Sequence, residues 1–573
     1  MGARSWASAA RLVPVVAITG LALALPTGAA SAHPRPLTQV SRPVHSAAPD
    51  ADLVTESFVR VYEPLPKRDG PHPNACDWIS YLRFRSANGP RRPSRADAVF
   101  VIIPGFLGGA ASFDQVARNT VRDAARKGEH VEFWALDRRS NCLEDDRGVR
   151  AAARARNPEI GYDYYWHNRA VGGKRFGGWV TPQQADWLNH VGLAQTMRDW
   201  HAVLRAGIPN RRVRAHKVFC GGHSMGGPMT AAFASWDFDN DPKTKSDAGY
   251  RQCAGFVGLD TRLEVGTPQI DPTNPSAVLL AAVLAGNSPY VNEPPLVPET
   301  IQLPPVFGVG AFYHPTGTDL LRNLPHSENI ELAQRFLFSR DAVNFATGEP
   351  NIRDFRITND ADLAGVFDDN SAPLFFMRSS LGFLTGGELT DKNFPQPNPT
   401  LALPADESAR YVWQNYDLVG KNGRAIPLND EGDPYTSRES EASDIHEFAR
   451  TQFEAPANFI EQYFPTKLLK DLQRAGRGDR SGSLSHLKYD DGPSRRPAII
   501  VRAGDSMDNS APDSGPPING EPPNEKPLSR SITIPGYNHL DVLTAARRQN
   551  DGRPEPTAHA LAGFARKVSL PKG

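Results

Sequence analysis

The chain has 573 residues, and its 64 basic and 64 acidic side chains give a formal net charge of zero. A neutral chain has no overall electrostatic attraction to nucleic acid or to an anionic membrane surface, so we expect no nucleic-acid partner. Hydrophobic residues make up 39% of the chain, enough for a large core, while 51 prolines and 48 glycines indicate many loops. This length favours a large domain with insertions, or several domains.

The first 32 residues have the pattern of a secretory signal peptide. Arg4 and Arg11 form a basic start, an apolar stretch follows to about residue 25, and Ala30-Ser31-Ala32 is a small-x-small cleavage site. The apolar stretch is shorter than the roughly 20 residues that a membrane span needs. We therefore predict cleavage after residue 32, a secreted protein, and no transmembrane segment once the signal is removed.

Residues 33–54 are rich in proline, serine and alanine and are predicted to be disordered. From residue 55 onward, apolar runs typical of strands alternate with helical spacing. The predicted strands are "SFVRVYEPL", "CDWISYLRF", "AVFVIIPG", "HVEFWALD", "HKVFC" and "AGFVGLD", and the helices between them are "FDQVARNTVRDAARKG", "VGLAQTMRDWHAVLRAG" and "MGGPMTAAFASW". Alternation of this kind favours a doubly wound α/β sheet.

The alternation stops over residues 261–495, a segment dense in phenylalanine. It mixes proline-rich loops with helical stretches such as "APANFIEQYFPTKLLKDLQRAG". The α/β pattern resumes at residue 496 with the strands "PAIIVRAGD" and "SITIPG" and a last helix, "PTAHALAGFARKV". We therefore predict one sheet domain built from residues 55–260 and 496–573 and interrupted by a large insertion.

The stretch "VFCGGHSMGGPM" contains Gly222-His223-Ser224-Met225-Gly226, a G-x-S-x-G pattern. A predicted strand precedes it and a predicted helix follows, which is the context that a nucleophile elbow requires. The alternative is a glycine-rich turn in which Ser224 only caps the helix. The context favours Ser224 as a nucleophile.

A serine hydroxyl needs a base to become nucleophilic. The sequence "IPGYNHLDVLTA" places His539 in a loop just after the last predicted strand. The order of nucleophile first and histidine last is that of α/β-hydrolases. We therefore take His539 as the candidate base.

Together these motifs resemble the α/β-hydrolase family of secreted, bacterial-type esterases and lipases. The resemblance implies a mostly parallel central sheet with helices on both faces, and it makes residues 261–495 the cap. "IIPGFLGG" is similar to the oxyanion loop of the family, with Pro104 in place of the usual histidine. By that match the main-chain N–H groups of Phe106 and Met225 form the oxyanion hole.

Two further segments resemble the family. "YNHLD", around His539, is similar to the histidine loop of the acid lipases. "FWALDRRSN" resembles the Asp-Arg-Gly loop after the fourth strand, with Arg139 where glycine is usual. We interpret this second loop as structural.

The acid of the proposed triad has three candidates. The family most often places it three residues after the glycine of "PAIIVRAG", a position that Met507 occupies here between Asp505 and Asp508. A one-residue insertion would make Asp508 the acid, and we favour it, with Asp505 as an alternative. Asp260, at the end of "AGFVGLD", is the other alternative, because pancreatic-type lipases carry their acid after that earlier strand.

Four cysteines allow three disulfide pairings in an exported protein. Cys220 directly precedes the glycine cluster and Cys253 opens the next apolar run. If both runs are parallel strands, these two cysteines should lie at opposite ends of the sheet and should not pair. We therefore expect a bridge between Cys76 and Cys142.

No metal or cofactor is expected. The chain has no zinc-binding cysteine spacing, and "DFDNDPKTKSDA" only begins like a calcium loop. Pro242 stands where such a loop needs glycine, and Ala248 where it needs a bidentate glutamate. A solvated loop is the favoured interpretation.

The resemblance implies a carboxylic ester hydrolase that works through an acyl-enzyme and a Ser-His-Asp triad. The phenylalanine-rich cap favours a small-molecule or lipid ester with an apolar group, although the same phenylalanines could pack only the cap itself. Two alternatives stay open on the sequence. The chain could be an exported peptidase or amidase, or a catalytically inactive binding protein of the same fold.

Overall fold

A nine-stranded sheet, in the order β1-β2-β3-β5-β4-β6-β7-β13-β14, forms the centre of the protein. The computed structural model describes residues 37–267, 271–506 and 529–569. From β5 to β14 the neighbouring strands are parallel, while β1, β2 and β3 form an antiparallel edge. The strands of the described residues are β1 (Gln39–Val44), β2 (Val54–Tyr62), β3 (Trp78–Ser86), β4 (Ala98–Ile103), β5 (Val131–Leu136), β6 (Val218–His223), β7 (Gly255–Leu259), β8 (Arg356–Ile357), β9 (Gly382–Thr385), β10 (Leu389–Lys392), β11 (Asn398–Pro404), β12 (Arg410–Asn415), β13 (Ala498–Ala503) and β14 (Arg530–Ile534).

Sixteen α-helices lie within the described residues. Several of them cover the two faces of the main sheet, and others belong to the insertion. They are α1 (Asp114–Arg126), α2 (Arg147–Ala155), α3 (Glu159–Tyr165), α4 (Leu193–Gly207), α5 (Arg211–Lys217), α6 (Gly226–Ser235), α7 (Pro275–Ala285), α8 (Pro298–Ile301), α9 (Leu303–Tyr313), α10 (Glu328–Phe338), α11 (Ala342–Thr347), α12 (Asn359–Phe367), α13 (Ile445–Thr451), α14 (Thr466–Gly476), α15 (Asp541–Thr544) and α16 (Pro556–Ser569).

Strand β4 shows why both faces of the sheet need a helical layer. Its residues are all buried, and alternate side chains enter two separate cores. Val99 and Val101 pack with residues of α4 and α6, whereas Phe100 and Ile102 pack with residues of α1 and α16. A strand with two buried faces reads as a continuous apolar run. The structure confirms the α/β-hydrolase fold class, with its mostly parallel sheet and helices on both faces.

The predicted strands and helices of the core are all present, but the long helix predicted within 455–476 is wrong in its first half. Only Thr466–Gly476 is helical. Pro456 and Pro465 lie in the preceding stretch, and a residue before proline is disfavoured in the helical conformation. Ile460 instead forms a β-bridge with Gly108.

The prediction of disorder for residues 33–54 is wrong for the part that the structure describes. Strand β1 pairs along its whole length with β2, from Gln39 opposite Val61 to Val44 opposite Glu56. Its side chains are mostly exposed, so main-chain hydrogen bonds rather than apolar burial order the segment. Asp50 adds ion pairs with Arg118 and Arg122 of α1. Amino-acid composition indicates whether a segment can bury apolar side chains. It does not indicate whether an exposed segment pairs with a neighbouring strand through its main chain.

The structure contains two disulfides. The expected bridge between Cys76 and Cys142 is confirmed, but Cys220 and Cys253 also pair, with their Cα atoms 5.9 Å apart. The contrary prediction is wrong because β6 continues through the glycines to His223, which leaves Cys220 in the first half of its strand. Cys253 lies just before β7, and the N–H of Ala254 donates to the carbonyl of Val218 at the start of β6. Both cysteines therefore lie towards the same edge of the sheet.

Residues 261–495, here called the cap, contain α7–α14 and two small sheets, β8-β12-β9 and β10-β11. Phe307 and Phe383 are buried in the packing of the cap itself, whereas Phe375 and Phe376 are only partly buried. Some phenylalanines of the cap thus pack its interior, and others stay partly exposed. Among the helices of the described ranges, none is long and apolar enough to cross a membrane.

Candidate active site

Ser224 lies on the turn between β6 and α6 in a strained conformation. Its φ is +53°, in the left-handed region that residues other than glycine rarely adopt. Such a residue costs about 1–3 kcal/mol and persists only where its surroundings fix it. The N–H of Ser224 donates to the carbonyl of Leu259, and its own carbonyl accepts from the N–H of Gly227 and the hydroxyl of Thr261. These bonds hold the serine at the tip of the turn, as expected for a nucleophile elbow.

The glycines of the motif allow this turn to close. A Cβ on Gly222 would lie 2.1 Å from the carbonyl oxygen of Gly226, which no side chain can tolerate. On the other side, a Cβ on Gly105 would lie 2.6 Å from the Cβ of Ser224 and 3.1 Å from its Oγ. The loop after β4 therefore passes directly against the serine.

His539, which follows β14, contacts Asp260, which follows β7. The Nδ1 atom of His539 lies 2.5 Å from Oδ2 of Asp260, and both side chains are buried. Asp260 also accepts hydrogen bonds from the N–H of Ala503 and the hydroxyl of Ser506. The carboxylate is thus fixed by three donors, and it fixes the histidine ring in turn.

The structure therefore brings Asp260, an alternative in the sequence analysis, to the position that we favoured for Asp508. The chain provides this position after β7, and β13, which precedes Asp505 and Asp508, lies next to β7 in the sheet. Asp508 lies outside the described residues. The main-chain N–H of Asp505 donates to the carbonyl of Tyr537. Partial burial raises the pKa of the Asp505 carboxyl.

His223, to which the sequence analysis gave no role, contacts His539. Its Nε2 lies 3.0 Å from the carbonyl oxygen of His539, and the two ring centroids are 4.5 Å apart. Because a carbonyl only accepts, Nε2 of His223 carries the proton and donates it. Burial, together with the neighbouring His539, lowers the pKa of His223 to about 3. A neutral His223 therefore holds the loop of His539 from the side of Ser224.

Asp541 holds the same loop from the side of the cap. Its buried carboxylate accepts hydrogen bonds from the N–H of Asn538, the N–H and hydroxyl of Ser380, and the hydroxyls of Ser379 and Ser443. Three of these residues belong to the cap. The turn that carries His539 is therefore fixed jointly by the core and the cap. The sequence analysis did not single out Asp541.

Phe106 and Met225 are the candidate oxyanion-hole residues of the sequence analysis. Phe106 follows Gly105, and Met225 follows Ser224 at the start of α6. In the part of the chain that the structure describes, neither main-chain N–H donates a hydrogen bond. The Phe106 ring packs edge-on between Phe376 and Phe464. Both main-chain N–H groups are thus without an acceptor in the described residues.

Arg138 fixes the direction of the Phe106 N–H. Its guanidinium donates to the carbonyl oxygens of Pro104, Gly105 and Gly108. The Gly105 carbonyl and the Phe106 N–H belong to one trans peptide unit and point in opposite directions. With the carbonyl turned towards Arg138, the N–H points away from it.

Glu461, a cap residue that the sequence did not single out, completes this arrangement. Its Oε2 lies 2.6 Å from Nη1 of Arg138, and its N–H donates to the carbonyl of Leu107. Both charged groups are buried. The neighbouring Arg139, where the family usually has glycine, forms a buried ion pair with Asp199 of α4. The loop "FWALDRRSN" is thus structural, as we interpreted it.

Comparisons with known proteins give the following. No protein-family model matches the sequence, and no curated relative is found. The peroxisomal α/β-hydrolase Lpx1 of Saccharomyces cerevisiae is 12% identical, with a TM-score of 0.30, over 94% of this chain and 92% of that one. An open-form lipase is 12% identical, with a TM-score of 0.28, over 93% and 100%. Epoxide hydrolase I of potato (Solanum tuberosum) is 11% identical, with a TM-score of 0.30, over 92% and 100%.

The low pKa of His223 gives a testable pH dependence. The variant H223Q keeps a donor for the His539 carbonyl but removes the titrating group. Below about pH 6.5 the unfolded wild-type chain binds a proton at His223 that the folded chain refuses, so the wild type loses stability relative to H223Q by up to about 1.4 kcal/mol per pH unit. Above that pH the difference in free energy of unfolding is constant.

Urea unfolding of both proteins at several values between about pH 4.5 and pH 8 measures this difference. A difference that stays flat across the whole range would show that His223 titrates alike in the folded and unfolded chains.

Proposed function

We propose that this protein is a serine hydrolase that cleaves carboxylic esters through an acyl-enzyme. The observation that carries the proposal is that the strained Ser224, the His539–Asp260 pair and two N–H groups without acceptors all follow the carboxyl ends of the parallel strands. Each of these is one part of the machinery for acyl transfer. No cofactor is needed for this chemistry.

In the proposed reaction, Ser224 Oγ attacks the ester carbonyl while His539 Nε2 takes its proton. Asp260 holds Nδ1–H of His539 and stabilises the imidazolium. The oxyanion accepts hydrogen bonds from the N–H groups of Phe106 and Met225, each worth about 10²–10³-fold in rate. His539 returns the proton to the leaving alcohol, then activates the water that releases the acid from Ser224.

We further propose that the ester carries an apolar group that enters a cavity in the cap. The cavity holds about 650 Å³ of space between atoms, including the part open to solvent. Apolar side chains from α8, α9, α10 and α12 dominate its lining. Its wall includes Leu374 and Met377, which flank the two partly buried phenylalanines.

Those phenylalanines lie in the chain between two residues of the cavity wall, and their rings pack against two residues of the site. The ring centroids of Phe375 and His539 lie 5.7 Å apart, and those of Phe376 and Phe106 lie 5.6 Å apart. Ile460, another wall residue, bridges to Gly108 in the oxyanion loop. An apolar group of the ester that extends from Ser224 along this wall would be removed from water, and this burial favours binding.

We also propose that the protein is exported. Residues 1–32 have the signal pattern, and the two disulfides are typical of an oxidising compartment. Export into the medium with a new N-terminus at His33 is the expected outcome, and N-terminal sequencing of the secreted protein would test it.

The first test asks whether Ser224 reacts. We expect the purified mature protein to be labelled by a fluorophosphonate probe and S224A not to be, because the probe requires an activated serine. S408A, which removes an exposed hydroxyl of the cap, should be labelled like the wild type. Unlabelled wild-type protein would favour the inactive binding protein instead.

A panel of p-nitrophenyl esters, beside aminoacyl and prolyl amides, separates esterase from peptidase. Turnover of the amides at rates above those of the esters would replace our proposal with the peptidase alternative.

The identity of the acid gives a second test. D260N removes the negative charge that stabilises the imidazolium, and we expect kcat for a p-nitrophenyl ester to fall by about 10³–10⁴-fold. The matched variants D505N and D508N carry the same change after the neighbouring strand and should stay within about threefold of the wild type. Circular dichroism checks that each variant folds. A loss confined to D508N would restore our original choice.

The cavity gives a third test. A333F adds a ring to a buried position of α10 that lines the cavity, whereas V343F adds the same ring at an exposed position of α11. We expect A333F to lower kcat/KM for a decanoyl ester at least about tenfold and for an acetyl ester less than about threefold, because only the long chain needs the space. V343F should match the wild type on both. Equal losses on both esters in A333F would place the acyl group elsewhere.

A further inference from the structure

The loop after α6, which the sequence analysis set aside as a solvated loop, gathers three carboxylates. One oxygen from each of Asp237, Asp239 and Asp247 lies within 4.8 Å of the other two. Asp237 is completely buried, Asp247 is half-buried and Asp239 is exposed. The third member stands at a different spacing from that of a calcium loop of the helix–loop–helix type. The mismatches at Pro242 and Ala248 therefore do not decide whether these three residues bind an ion.

The buried oxygens of this group have no hydrogen-bond partners. Within the described residues, neither Oδ1 nor Oδ2 of Asp237 accepts a hydrogen bond, nor does Oδ1 of Asp247. A buried carboxylate without donors costs several kcal/mol unless a cation or a proton compensates it. Asp237 carries this penalty at both oxygens.

A residue from a distant segment adds an independent observation. Tyr489 is only 6% exposed, and its hydroxyl also has no partner in the described part of the chain. Its main-chain N–H donates to the carbonyl of Ser235, two residues before Asp237, so Tyr489 belongs to a segment that packs against the start of this loop. A phenol can donate to a carboxylate or to a bound water.

The other two carboxylates accept main-chain hydrogen bonds within the loop. Oδ2 of Asp247 accepts from the N–H of Asp239, and Oδ1 of Asp239 accepts from the N–H of Asp241. These bonds hold both carboxylates in place beside the donor-free Asp237.

We propose that Asp237, Asp239 and Asp247 bind a calcium ion. Calcium takes six to eight oxygen ligands from carboxylates, carbonyls and water in flexible geometry. Three carboxylates offer up to six oxygens, and the exposed side of Asp239 leaves room for water. Magnesium suits the group less well, because it demands octahedral geometry at short distances and keeps several waters.

The proposed ion site lies where the end of α6 contacts the last part of the cap. Asp237 follows the last residue of α6, Ser235, by two positions, and its N–H and carbonyl bond to His486. The N–H groups of Lys488 and Tyr489 both donate to the carbonyl of Ser235. Since α6 begins beside Ser224 and spans about 15 Å, the ion would stabilise the helix behind the serine without touching a substrate.

Binding of calcium to the full mature protein tests the proposal without any activity measurement. After removal of metals with EDTA and dialysis, we expect isothermal titration with CaCl₂ to show a binding event, and about 5 mM CaCl₂ to raise Tm. D239N and D247N should each lose that event and its Tm shift. Asparagine keeps an oxygen for the N–H of Asp241 and for the N–H of Asp239, the bonds that these two carboxylates accept.

D241N is the matched control. Asp241 lies in the same exposed loop and loses the same charge, but its carboxylate only accepts from the N–H of Lys243 and stands outside the group. It should bind calcium like the wild type. A second group of carboxylates, Asp368, Asp369 and Glu441, also converges in the described residues, and binding there would survive in D239N and D247N.

Three results would overturn the proposal. The wild type could fail to bind calcium at about 10 mM, roughly ten times the Kd of the weakest extracellular sites, which is about 1 mM. Binding could be equal in the wild type, D239N and D247N. Magnesium could displace calcium at equal concentration, which would make the group a general divalent site. None of these results bears on the proposed ester hydrolysis.

Discussion

The buried guanidinium of Arg138 is the interaction on which the rest of the site depends. It binds three carbonyls of the loop after β4, and the N–H groups of the same peptide units therefore point away from the guanidinium. This loop contains three glycines, and glycine leaves the backbone conformationally free. Its orientation has to be imposed from outside, and a planar fork with several donors does this better than any single hydrogen bond. Glu461 of the cap forms an ion pair with the same guanidinium, so the cap helps to position a loop of the core.

The position of His539 depends on a similar division of labour. Asp260 fixes the ring, His223 fixes the carbonyl of the same residue, and Asp541 fixes the turn through serines of the cap. The three contacts come from different parts of the chain and act on different atoms of one short loop. Such over-determination is what allows strained or exposed functional groups to keep one geometry. The cap is therefore part of the support of the site as well as its cover.

The sequence predicted what depends on local patterns. Ser224 and His539 follow strands, and a strand followed by a glycine-flanked serine is recognisable without any long-range information. The acid was not decided, because β7 and β13 are neighbours that end at the same edge and carboxylates follow both. Cys220 was misplaced because the end of β6 was taken to lie before its glycines.

Long-range contacts account for the rest of what the sequence could not show. Glu461 reaches Arg138, and Ser380 reaches Asp541, across separations in sequence of 323 and 161 residues. No spacing rule connects such positions, since the fold alone brings them together. The edge strand β1 was not predicted for a different reason. It is ordered by main-chain pairing with β2, which the amino-acid composition does not reveal.

The disulfide between Cys220 and Cys253 has a practical side. It ties β6, which delivers Ser224, to the start of β7, which delivers Asp260, so one covalent bond spans the two neighbouring strands that set the spacing of the site. Recombinant material made in a reducing host cytoplasm would lack this tie while still containing every residue of the site. The choice of production compartment, and of reductant in the purification buffers, is therefore part of preparing a faithful sample of this protein.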